Sequence, residues 1–89
     1  MIDYLNVKSI TELTREEFLD FIRIVREPKD TEKQEGRWLL KFDEFAEHPR
    51  GTDLLFYPKP GSESDEAVVE DVESYRRDNG LPGFKPSPD

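Results

Sequence analysis

Pro49 and Pro58 confine the chain between them to an element of one or two turns. The stretch reads HPRGTDLLFYPKPG, residues 48–61, and its apolar-rich part is only Thr52 to Tyr57. Pro58 also pushes Tyr57 away from helical geometry. A strand here would need a partner, and no second convincing strand exists in the sequence; unpaired, it would leave its backbone groups unsatisfied. A short helix capped by Thr52 or Asp53 avoids that cost. Such a helix has one face to bury, and Leu54 and Leu55 suit it best. For Phe56 and Tyr57 two readings stand from spacing alone. They close the core, or they point outward with Asp53 as rigid aromatic groups of the kind that dominate binding hot spots.

The rest of the chain reads as helices of ordinary length. In LTREEFLDFIRIV, Thr14 and Glu17 form a capping-box pair, and Leu13 and Phe18 are spaced for a hydrophobic staple. Phe18, Phe21, Ile22 and Val25 then recur at helical spacing until Pro28, so a helix is predicted over about 14–26. In DTEKQEGRWLLKFDEFAEH, Asp30 or Thr31 caps a second helix with Gln34 as its box partner. Trp38, Phe42, Phe45 and Ala46 form its apolar stripe. Gly36 inside it costs roughly 1 kcal/mol against alanine. Its other face carries Glu32, Glu35, Leu39 and Asp43, an acidic stripe with one exposed apolar residue, which by itself reads as a solvated surface.

The last helix is predicted over about 65–79, with Ser64 as cap and Asp65 and Glu66 at the positive end of its dipole. Val68, Val72 and Tyr75 form its buried stripe, and Arg76 and Arg77 suit the negative end. Asn79-Gly80 ends it, with Leu81 placed for a Schellman motif. Phe84 is placed to fold back on the core, and residues 86–89 read as a flexible tail. These elements predict a compact all-α fold in one domain, residues 1–89.

Composition narrows the function. The chain has 89 residues, 34% hydrophobic and 38% charged, with 21 acidic against 13 basic side chains and a net charge of −8. That balance argues against direct binding to nucleic acid or to an anionic membrane, both of which need clustered Lys and Arg. It suits a basic partner drawn in by long-range attraction. There is no cysteine, which excludes disulfides and cysteine zinc sites. No apolar run has the length of a signal peptide or a membrane span, so the expected location is the cytoplasm. His48, with Glu44, Glu47 and Asp53 nearby in sequence, is a conceivable metal or acid–base cluster. A lone histidine beside a proline is more often a helix-end residue, and no HExxH, nucleophile elbow or phosphate loop supports catalysis.

The stretch EFAEHPRGTDLLFYPKPG resembles the signature of the immunity proteins of DNase-type colicins and pyocins, in which EHP leads through GSDL to two aromatics and YP. SYRRDNGLPGFK is similar to the closing WRAANGxxGFK of that family, and TREEFLDFI resembles its opening TExEFL. The resemblance covers about residues 11–85. It implies a distorted antiparallel four-helix bundle with a very short third helix, and no catalytic activity, cofactor or metal. It implies a protein that binds the cytotoxic nuclease domain of a bacteriocin, a basic metal-dependent DNase of the His-Asn-His type. The inhibitor docks beside the active site and excludes DNA by bulk and charge. The expected free form is a monomer that makes a tight one-to-one complex and protects the producing cell; it can leave the cell bound to the bacteriocin.

Carried over residue by residue, the resemblance implies a shared anchor at Thr52, Asp53, Phe56, Tyr57 and Pro58. It implies partner selection by Glu32, Glu35, Gly36, Leu39 and Asp43, a fixed anchor beside variable neighbours. Three features depart from the family pattern. Phe56-Tyr57 stands where Tyr-Tyr is usual, Tyr75 stands where the last helix usually has tryptophan, and Glu35 and Gly36 stand where relatives carry apolar residues. The first removes a hydroxyl, the second implies a repacked core around Trp38, and the third implies a distinct cognate nuclease. The alternative from another class is an acidic DNA mimic, a regulator or antitoxin that binds some other basic protein.

Overall fold

Four α-helices follow two short 3-10 turns in the computed structural model, which describes residues 3–61 and 63–86. The helices are α1 (Arg15–Arg26), α2 (Glu32–Ala46), α3 (Asp53–Phe56) and α4 (Asp65–Asp78), and the 3-10 turns are Tyr4–Asn6 and Ile10–Glu12. Among the described residues there is no strand. Apart from Pro86, the expected tail at 86–89 lies outside the described residues.

The helix ends follow local chemistry. Thr14 and Glu17 exchange both bonds of the capping box at the start of α1. Thr31 caps α2 by accepting from the Gln34 amide, but Gln34 does not reach back, so only half of the expected box forms. Ser64 caps α4. A complete Schellman motif closes α4: the Leu81 amide donates to Arg76 O at 2.8 Å and the Gly80 amide to Arg77 O at 3.2 Å, with Gly80 at φ +70°. A second capping box, Ser9 with Glu12, starts the Ile10–Glu12 turn and was not expected.

α1 runs antiparallel to both α2 and α4 and packs on each. Along the α4 seam, Arg15 pairs with Glu70 and Glu73, Arg23 with Glu66 and Arg26 with Asp65, so the start of one helix meets the end of the other. Along the α2 seam, Phe18 meets Phe42 and Phe45 while Phe21 meets Trp38 and Phe45, with ring centroids 5.1–6.3 Å apart. Phe18, Phe21, Phe42 and Phe45 are fully buried and form the centre of the core. Tilted and edge-to-face aromatic pairs add about 0.5–1.5 kcal/mol each beyond the area they bury. Phe84 does fold back, 5.4 Å from Phe18, and the Lys85 amide fastens it by donating to Leu13 O at 2.8 Å.

The buried stripe of α4 differs from expectation at its end. Val68, Val69, Val72 and Arg76 are buried, and Tyr75 is only half-buried. Positions three and four residues beyond Val72 compete for the same face, and polarity favoured the tyrosine. The fold selects the arginine because α2 ends with no basic residue in its last turn. The Arg76 guanidinium donates to Phe45 O at 3.0 Å, to Ala46 O at 3.5 Å and to Pro82 O at 2.7 Å, and it pairs with Glu47. It thereby satisfies carbonyls that a helix C-terminus leaves orphaned.

Candidate functional site

α3 is a single turn between the Gly51 bend and Pro58, as the two prolines require. Leu54 and Leu55 are buried at 3% and 4%, while Phe56 and Tyr57 are 54% and 72% exposed. Asp53 is also exposed, and Thr52 and Pro58 are half-buried. Thr52 occupies the N-cap position, but its side chain makes no capping bond, and its backbone is already helical at φ −65° and ψ −13°. The sequence expectation of a side-chain cap by Thr52 or Asp53 is therefore corrected: the turn is closed by backbone alone. Thr52 O accepts from the Leu55 and Phe56 amides, and Asp53 O accepts from the Tyr57 amide at 2.8 Å.

On α2, Glu32, Glu35 and Asp43 are exposed and Gly36 is half-buried. With Leu39 they lie on one face at spacings of three and four residues. Leu39 is not the exposed apolar residue expected; it is partly buried against the core. Its neighbour Leu40 is exposed instead, at 66%. Three consecutive apolar residues, Trp38, Leu39 and Leu40, cannot all face one core on a 3.6-residue repeat, and that was the available signal for an outward leucine.

The α2 face and α3 meet at Gly51. This glycine has φ +52°, and a Cβ there would run into the Asp43 carboxylate. Asp43 therefore leans over the bend that leads into Thr52, which brings the end of the acidic face to the start of α3. Two residues that the sequence did not single out hold the far side of α3. Arg26 Nη1 donates to Leu55 O at 3.3 Å, and Arg50 Nη2 donates to Tyr57 O. Arg26 has no local signature, since it is 29 positions from its acceptor, whereas Arg50 is seven positions from its own.

His48 does not assemble with Glu44, Glu47 and Asp53. Its Nε2 lies 3.3 Å from Asp71 Oδ1, its Nδ1 accepts from the Arg50 amide at 3.0 Å, and its ring packs on Tyr75 with centroids 4.6 Å apart. Glu47 turns away in a left-handed C-cap, φ +50°. Among the described residues no group of three His, Cys, Asp or Glu is placed to hold a metal ion, and no helix is long and apolar enough to cross a membrane. An open groove of about 970 Å³ is lined by Tyr4, Ile24 and Trp38 with acidic residues and Arg23 around them, and it includes no residue of α3 and none of Glu32, Glu35, Gly36, Leu39 and Asp43. Among the candidate residues, the exposed side chains are the acidic Glu32, Glu35 and Asp43 on α2 and Asp53 with two aromatics, Phe56 and Tyr57, at α3.

Known proteins give the fold a context. Residues 10–78 match the family described as colicin immunity protein / pyocin immunity protein. The pyocin-S2 and pyocin-S1 immunity proteins of Pseudomonas aeruginosa are each 40% identical over 81 residues, covering 85% of this chain and 93% of theirs. A chain in the crystal structure of the pyocin AP41 DNase–immunity complex superposes with a TM-score of 0.83 at 34% identity, over 91% of this chain and all of that one. A chain in the structure of a mutant pyocin S8 nuclease domain with its cognate immunity protein superposes with a TM-score of 0.78 at 35% identity, over 90% of this chain and all of that one. With a matching all-helical fold and a family match through most of its length, the chain belongs to the colicin and pyocin immunity protein family.

Proposed function

We propose that this protein binds and inhibits the nuclease domain of a cognate pyocin- or colicin-type bacteriocin. Phe56, Tyr57, Asp53, Thr52 and Pro58 form the anchor, and Glu32, Glu35, Gly36, Leu39 and Asp43 set the choice of partner. The observation that carries this reading is the split within α3: two leucines buried, two adjacent aromatics exposed. A soluble fold gains nothing by leaving Tyr57 72% exposed beside a second large aromatic. A partner that desolvates both rings recovers that apolar area, and two-χ side chains lose little entropy in docking.

The protein acts by occupancy and not by chemistry. A net charge of −8 speeds encounter with a basic nuclease and opposes the approach of DNA. Carboxylates Glu32, Glu35 and Asp43 beside the anchor reward a partner with matching cations and penalise others. Its place of action is the cytoplasm of the producing cell.

The test is titration of the purified nuclease domain, with plasmid cleavage as readout. Cleavage should cease at one equivalent. Tyr57→Ala should weaken binding by about 2–4 kcal/mol, as for a central hot spot. Its effect on unfolding free energy should stay within about 0.5 kcal/mol, as expected for an exposed side chain. A DNA mimic acting through charge alone would instead lose its affinity steeply with salt and be indifferent to Tyr57→Ala. Undiminished cleavage at large excess of the wild-type protein would refute the proposal for that nuclease.

A further inference from the structure

A one-turn helix cannot hold itself. Its four residues lie far below the length at which a helix persists in water, and its terminal carbonyls have no partner inside the element. In this fold the Leu55 carbonyl and that of the C-cap residue, Tyr57, are held from outside by two guanidinium groups. Arg50 takes Tyr57 O. Arg26, in the last turn of α1, takes Leu55 O through Nη1 at 3.3 Å while its Nε is fixed on Asp65 Oδ1 at 2.6 Å. Asp65 is the first residue of α4. One planar fork thus ties the end of α1, the backbone of α3 and the start of α4 together from two separate nitrogens, a fixed spread of donors that a single ammonium nitrogen lacks.

We propose that Arg26 is a positioning residue for partner binding. Backed by Asp65, it holds α3 in its docking arrangement before the nuclease arrives, so that Phe56 and Tyr57 are presented already ordered. This rests on the docking role proposed for α3. Charge makes the idea sharp. Arg26 is a cation on an acidic inhibitor of a basic partner, so removing it should aid encounter if electrostatics were its only role. A positioning role demands the opposite sign. If the docking-ready form becomes a minority state, the apparent dissociation constant rises in inverse proportion to its population. Loss of one charge-assisted bond to a carbonyl corresponds to a weakening of about tenfold or somewhat more.

The experiment compares wild type, Arg26→Ala and Arg26→Lys in two measurements. The first is affinity for the cognate nuclease domain. The second is hydrogen exchange of the Phe56 and Tyr57 amides, which bond to Thr52 O and Asp53 O, in the free proteins. The expected result is faster exchange at those amides with the remaining helices unchanged, and binding about tenfold weaker. Arg26→Lys keeps the charge and should show the same direction, and it carries the test should Arg26→Ala not fold. Binding equal to or tighter than wild type by either folded variant would overturn the proposal. Weaker binding with unchanged exchange would also overturn it, because Arg26 would then be touching the partner directly. Failure of the wild-type protein to bind the nuclease would strike the docking role instead, while the exchange of the free proteins still decides whether Arg26 holds α3.

Discussion

A glycine in the second turn of a 15-residue helix costs about 1 kcal/mol relative to alanine, and nothing around Gly36 requires it: a Cβ there would meet no atom within 4 Å. Gly36→Ala should raise the unfolding free energy by about 0.5–1 kcal/mol in urea titrations. If Gly36 faces the partner as proposed, the same methyl group should weaken cognate binding, so that stability and recognition move in opposite directions. Tyr4 gives a second prediction at this scale. Burial, and then the carboxylates of Asp20 and Glu17, raise its phenol above its ordinary value of 10.0. The folded state therefore holds the proton more tightly than the unfolded chain. Its contribution is complete below about pH 10 and is lost as pH climbs through the raised value. Tyr4→Phe should flatten this alkaline fall in the urea midpoint relative to wild type.

Between residues and whole molecule lie the elements, and the bend at Gly51 is the one where fold and recognition meet. Gly51→Ala must hold a left-handed backbone, at about 1–2 kcal/mol, and must also displace the Asp43 carboxylate. Thermal unfolding should show the first effect, and altered nuclease affinity beyond that of a remote destabilising substitution should show the second. At this scale much was legible in the sequence. Thr14 with Glu17, Ser64, and Asn79-Gly80-Leu81 announce helix ends through bonds made within a few residues. The bracket of Pro49 and Pro58 announces α3 and its buried leucines, while spacing left Phe56 and Tyr57 open between core and surface, and the fold exposes them. What could not be read locally depends on distant partners. Arg76 is buried because α2 lacks a cation at its end, and Arg26 turns to α3 across 29 positions. His48 finds Asp71 on another helix rather than the carboxylates beside it in sequence.

For the molecule as a whole, a radius of gyration of 12.6 Å is near the value of about 12 Å expected of a compact domain of this length. Stability on the order of 5–15 kcal/mol leaves little margin for losing a buried tie. Arg76 is 5% exposed and serves carbonyls of α2 and of the closing segment. Arg76→Ala strands those acceptors and should cost about 3 kcal/mol or more by denaturant unfolding, with Arg76→Lys recovering only part.

The same tie sets an order in time. During synthesis α1, α2 and the anchor turn leave the ribosome before Arg76, Asp71 and Asp65, which seat the end of α2, His48 and Arg26. A nascent chain carrying every proposed contact residue is still without the struts that aim them. Competence to neutralise a toxin is then acquired only once α4 has been made, and a ribosome stalled before α4 would display the binding residues without yielding a working inhibitor.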